Sequence, residues 1–170
     1  MSNDWAFLLW NDRYMMNAVI EEDTSSLNGR HQYWETMPAR ILVVDDFGPF
    51  REFTCTVLKN QVGFQIVAEA ADGREAIQKA SESRPDLVVL DMDLPFLCGI
   101  EVALQIRLCS PGSTILFLSG NSDPEVIEAA MQTGALGYVL KLDAVDDLLN
   151  AAKAVLSGKR FVSHGLKSTY

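Results

Sequence analysis

The chain has 170 residues, enough for one domain with an extension, and its 48% hydrophobic and 22% charged residues suit a globular protein that forms a core without covalent staples. A net charge of −9 argues against nonspecific nucleic-acid binding and against docking on anionic lipid, because both need clustered Lys and Arg. Three cysteines (Cys55, Cys98, Cys109) without CxxC spacing and two histidines offer neither a disulfide framework nor a structural zinc site; with no signal peptide and no membrane-length apolar run, the expected location is the cytoplasm.

Residues 1–36 stand apart. They hold all three tryptophans, and two arginines oppose six acidic residues, a net of −4. Trp5–Ile20 is apolar enough for a helix with Trp5, Leu8, Leu9, Met16 and Val19 on one side, which would pack on the following domain or on a second copy. The alternative is an upstream extension before an original start at Met37. Residues 23–31, DTSSLNGRH, read as a linker. A domain is expected over 37–160, with 161–170 as a tail.

From Arg40 onward, apolar runs alternate with helical patterns. Ile41–Val44 is a strand that stops at two aspartates, and Pro49–Gln61 is a helix with Phe53 and Val57 on one face. Gln65–Ala70 is the second strand; Asp72 then caps a helix over Gly73–Ser83. Leu87–Leu90 is the third strand, ending at Asp91, and Gly99–Cys109 is helical. Thr114–Leu118 is the fourth strand, ending at Ser119, and Pro124 opens a helix to Thr133. Gly137–Leu140 is the fifth strand, ending at Lys141. The last helix, Ala144–Ser157, places Val145, Leu148, Leu149, Ala152, Val155 and Leu156 on the 3.6-residue period. Unbroken apolar strands joined by helices imply a doubly wound parallel sheet.

In such a sheet the ligand crevice lies beyond the carboxyl ends of the strands. The residues just past those ends are Asp45 and Asp46, Asp91, Ser119 and Lys141. Three carboxylates together are unfavourable: like charges about 4 Å apart cost on the order of 4 kcal/mol per pair at an effective dielectric near 20. A hard divalent cation relieves this, and the lysine adds positive charge. Such a rim suits phosphoryl transfer, where positioning and charge neutralisation carry the catalysis.

These residues resemble the receiver family of two-component signalling over about 39–160. The motifs are ILVVDD, DLVVLDMDLP with Gly99 following, ILFLSG and GALGYVLK. The resemblance implies a flavodoxin-like (βα)5 sheet of order 2-1-3-4-5. It also implies Mg²⁺ held by Asp45, Asp46, Asp91 and the backbone carbonyl of Asp93, with Asp91 as phosphoacceptor, Ser119 and Lys141 as phosphoryl partners and Tyr138 as aromatic switch. The donor would be a histidine kinase or phosphotransfer protein. The protein would be a phosphoacceptor, with self-catalysed phosphorylation and dephosphorylation only. The face of the fourth helix, fifth strand and fifth helix would move, binding a partner or a second copy in a homodimer, with Ser119 shifting inward and Tyr138 turning into the space it leaves.

Lys141-Leu142-Asp143 departs from the Lys-Pro of many receivers. It is similar to the subfamily that usually carries a C-terminal helix-turn-helix, as is GKRFVSHGL near the end. Two alternatives stand beside this reading. Asp91-Met92-Asp93 also fits the DxD start of haloacid-dehalogenase phosphatases, although Pro95 and the third-strand position do not suit them. A degenerate receiver that only binds a partner is the other, and the complete acidic set speaks against it. Cys98 is expected as a small apolar filler.

Overall fold

The computed structural model describes residues 37–166. The helix expected within Trp5–Ile20 and the linker expected at 23–31 lie outside them. The elements are β1 (Ala39–Val44), α1 (Gly48–Lys59), β2 (Phe64–Ala70), α2 (Gly73–Ser83), β3 (Leu87–Asp91), α3 (Gly99–Cys109), β4 (Thr114–Ser119), α4 (Pro124–Gln132), β5 (Gly137–Leu140), α5 (Ala144–Leu156) and β6 (Phe161–Val162). Short 3₁₀ turns cover Lys141–Asp143 and His164–Leu166.

The sheet is parallel throughout, in the order β2-β1-β3-β4-β5-β6. Alternation along each strand divides the core in two. Leu42, Val44, Val88, Leu90 and Phe117 meet Ala76 and Ala80 of α2, Val102 and Ile106 of α3, and Ile127 and Ala130 of α4. Ile41, Val43, Leu87, Val89, Leu116 and Leu118 meet Cys55 and Leu58 of α1 and Leu148, Ala151 and Val155 of α5. Both sheet faces are covered, so the inner strands β3 and β4 are buried along almost their whole length, while the edge strand β2 exposes Gln65 and Glu69.

Helix starts follow local chemistry. Asp72 accepts the Glu75 N–H at 2.9 Å, capping α2. Asp123 caps α4 just before Pro124, whose missing N–H costs nothing in the first turn. The parallel register then sets the rim: Val44 pairs with Leu90, Asp91 with Leu118, and Ser119 with Leu140. The residues just past these positions converge on one edge of the sheet.

Three expectations change. Val145 is 75% exposed, because the buried stripe of α5 runs through Ala144, Leu148, Ala151, Ala152 and Val155 and leaves the neighbouring position outside. Cys98 is no core filler: its side chain is exposed and its N–H bonds the Glu101 carboxylate at the start of α3. The tail expected from 161 is structured through Leu166. Phe161 and Val162 pair with Gly137 and Tyr138, so β6 covers the outer edge of β5. The face formed by α4, β5 and α5 therefore carries the chain's own C-terminal segment.

Candidate functional site

Asp45 leaves β1 with its side chain enclosed, 2% exposed, because its Oδ1 accepts the Phe47 N–H at 2.9 Å. Its carbonyl accepts Arg51 Nη1 at 2.6 Å, tying the turn to α1. Asp46 follows and is exposed. Asp91 ends β3, the central strand, and is also 2% exposed. Carboxylate oxygens of Asp45, Asp46 and Asp91 lie within 4.8 Å of one another.

Lys141 reaches into this cluster from the end of β5. Its Nζ is 2.8 Å from Asp91 Oδ2 and 2.8 Å from Asp45 Oδ2. The bond to Asp91 is an aligned hydrogen bond; Asp45 Oδ2 is ion-paired but buried without an aligned donor. The Phe50 ring of α1 lies 4.9 Å from the ammonium and offers it a π face.

These surroundings shift the titration of both groups. Burial pushes the Asp91 carboxyl above its ordinary value; the Lys141 hydrogen bond opposes this, and the Asp45 charge adds to it. For Lys141, burial pulls downward, but the carboxylates of Asp45 and Asp91 at its ammonium outweigh it and hold it above its ordinary value.

The remaining residues are close but differently engaged. Asp93 donates its N–H to Asp91 Oδ1 at 3.3 Å. Ser119 is fully buried at the end of β4, and its Oγ accepts the Asn121 N–H at 3.0 Å. Tyr138 was expected to turn inward when Ser119 moves. Its ring is already fully enclosed, 6.3 Å from Phe117, and its hydroxyl donates to the Asn121 carbonyl at 2.8 Å. Asn121 thus links the buried hydroxyl to the buried tyrosine.

Sequence reading missed two supports. Phe50 was not singled out, since an aromatic near a helix start carries no signal of its own. Gly99 stands in the sequence only as the glycine that follows the DLVVLDMDLP motif. Its N–H bonds the Met92 carbonyl at 2.8 Å, and a Cβ there would stand 2.6 Å from the Asp91 carbonyl oxygen. Only glycine lets α3 start this close to the end of β3.

The donor set suits a hard divalent cation. It consists of carboxylate oxygens, one of them buried without an aligned donor, and their mutual repulsion needs positive charge. Among the described residues, no helix is long and apolar enough to cross a membrane.

Residues 41–153 match the response regulator receiver domain. The oxygen regulatory protein NreC of Staphylococcus epidermidis is 33% identical over 131 residues, which cover 76% of this chain and 60% of that protein. A protein-glutamate methylesterase/protein-glutamine glutaminase of Paramagnetospirillum magneticum is 36% identical over 128 residues, covering 70% of this chain and 36% of that protein. A crystal structure of a LuxR-family two-component response regulator from Aurantimonas superimposes with a TM-score of 0.74 at 35% identity, covering 77% of this chain and 94% of that one. The chain spans less than two thirds of the length of both sequence relatives.

Proposed function

The chain belongs to the response regulator receiver family, and on that basis we propose that it accepts a phosphoryl group on Asp91 from a phosphohistidine of a histidine kinase or phosphotransfer protein. The observation that carries this reading is the placement of Asp91. It is the enclosed carboxylate at the end of the central strand, with Lys141 Nζ at 2.8 Å and two further aspartates beside it.

A carboxylate oxygen of Asp91 bonds to phosphorus as the P–N bond to the donor imidazole breaks, and that electron pair returns to the ring. Lys141 is held by Asp45 and Asp91 in the place where negative charge accumulates. The Ser119 hydroxyl, released from the Asn121 N–H, would donate to a phosphoryl oxygen. Asp45, Asp46, Asp91 and the Asp93 carbonyl would hold Mg²⁺, with Asp46 and Asp91 as direct ligands and Asp45 acting mainly through water. When bound, the ion would supply charge neutralisation for the phosphoryl oxygens. Hydrolysis of the aspartyl phosphate returns the domain to its starting state, so the chain is a phosphoacceptor rather than an enzyme acting on a separate substrate. A cytoplasmic setting, where kinase and magnesium meet, fits this chemistry.

A haloacid-dehalogenase-type phosphatase is the weaker reading. The aspartate motif ends the third strand of a receiver-type sheet, and the match to the receiver family over residues 41–153 does not favour a phosphatase. Exposure to acetyl phosphate with Mg²⁺ tests the reading: the chain becomes labelled on Asp91 and shows no turnover of a generic phosphate ester. Multiple turnover of that ester would restore the phosphatase reading.

A further inference from the structure

The outer edge of β5 is occupied by the chain's own segment Phe161–Leu166, and the attachment is extensive. The Phe161 N–H bonds the Leu136 carbonyl at 2.9 Å, and the Ser163 N–H bonds the Tyr138 carbonyl at 3.0 Å. The Leu140 N–H donates to Ser163 Oγ at 2.9 Å. Asp147, itself buried, takes the His164 N–H at 3.0 Å and faces His164 Nδ1 at 2.7 Å. Leu166 is 5% exposed and packs into the same core as Tyr138, Ile127 and Ala130.

Two routes from the rim meet at Ser163, a fully buried residue. The first runs from Asp91 to Lys141 and, one residue back along β5, from Leu140 to Ser163 Oγ. The second runs from Ser119 to Asn121, from the Asn121 carbonyl to the Tyr138 hydroxyl, and from the Tyr138 carbonyl to the Ser163 N–H. The docked segment also lies over a buried carboxyl oxygen of Asp143. Asp143 Oδ2 is buried without a hydrogen-bond partner and would stand 3.1 Å from a Cβ on Gly165. A buried oxygen left unpaired in this way weighs against the docked arrangement.

We propose that Phe161–Leu166 is the element through which the state of the rim leaves the domain, with Ser163 as the residue where both routes converge. This rests on the reading of Asp91 as acceptor. A phosphoryl group draws Lys141 away from Asp45 and Asp91 and draws Ser119 away from Asn121. Leu140 and Tyr138 then hold Ser163 less firmly, and the segment loosens from the β5 edge.

Amide hydrogen exchange of the full chain, with and without beryllofluoride and Mg²⁺, tests this, with ¹⁹F NMR reporting whether the fluoride complex is bound. With the complex bound, amides 161–166 exchange faster by at least about fivefold, while β1 and β3 amides do not. In Ser163→Ala the segment exchanges fast in both states and beryllofluoride adds nothing, although the ¹⁹F signal of the bound complex persists. A bound complex that leaves the native segment's exchange unchanged or slower overturns the proposal. A native-sized response in Ser163→Ala overturns the role of Ser163. Absence of a bound ¹⁹F signal in the native chain removes the acceptor reading and this inference with it.

Discussion

Gly99 and Asp91 are in contact through backbone alone: a Cβ on Gly99 would stand 2.6 Å from the Asp91 carbonyl oxygen and 2.8 Å from Met92 Cα. Neither neighbour is a flexible side chain that can give way. The start of α3 is thereby pressed against the strand end that holds the acceptor, and the loop between them has no slack in which Asp91 could drift. Gly99→Ala should lower unfolding free energy by about 1–3 kcal/mol, the usual range for overpacking, and should slow phosphorylation by acetyl phosphate. Denaturant melts and intact-mass time courses check both. Unchanged values would show that α3 can retreat without disturbing the site.

Metal binding should depend most on Asp46 and Asp91. Asp46→Ala should weaken Mg²⁺ affinity at least about tenfold, since even outer partners of a bound ion commonly matter that much. Asp45→Asn should weaken it less, because Asp45 is already engaged with the Phe47 N–H and Lys141. Titration followed by calorimetry separates the two, and equal affinity in Asp46→Ala and native protein would mean that the exposed carboxylate is not a ligand.

Phe50 should position Lys141. A cation facing an aromatic ring gains about 0.5–2 kcal/mol, depending on exposure. Phe50→Leu keeps an apolar side chain but loses the π face, so phosphorylation by a small donor should slow by roughly twofold to thirtyfold. Phe50→Tyr should restore the rate. If leucine and phenylalanine are equivalent, the ring serves only as packing.

Two buried aspartates should respond to pH in opposite directions. At Asp147, burial raises the pKa, but the His164 N–H and imidazole, with the Ser163 hydroxyl nearby, outweigh it and leave the carboxyl below its ordinary 3.8. Its contribution to stability is present above 3.8 and lost as pH falls through the lower folded-state value, so Asp147→Asn should destabilise at neutral pH and converge with native protein in acid. Asp91 is held above 3.8, chiefly by burial, so its ionisation opposes folding once pH exceeds the ordinary value. Asp91→Asn should therefore melt higher than metal-free native protein at neutral pH, and this gain should vanish in acid. Melting temperatures of the three proteins across the acid range decide the matter; a destabilised Asp91→Asn would mean that the Lys141 pair outweighs the burial.

Much of this was legible in the sequence because strand ends announce themselves. ILVV stops at Asp45, LVVL stops at Asp91, and in a parallel sheet such ends share a rim whatever fills the loops. The order 2-1-3-4-5 holds, with β6 added outside β5. That strand was missed because two residues, Phe161 and Val162, give no periodicity; they become a strand by pairing with Gly137 and Tyr138. Val145 was misread because an apolar residue beside a buried stripe looks like part of it, and only packing shows where the stripe ends. The enclosed Tyr138 ring could not be foreseen, since a side-chain rotamer depends on neighbours from other strands. Asn121, which holds both Ser119 and Tyr138, carries no motif at all.

The assignment of Asp91 is tested most directly by intact mass of the full chain after incubation with phosphoramidate and Mg²⁺. Native protein should gain the mass of a single phosphoryl group, the gain should disappear when Mg²⁺ is chelated before the donor is added, and Asp91→Asn should gain none. A native chain that stays unlabelled, or an Asp91→Asn chain labelled as fully as the native one, would contradict the reading of this rim as an aspartyl-phosphate switch.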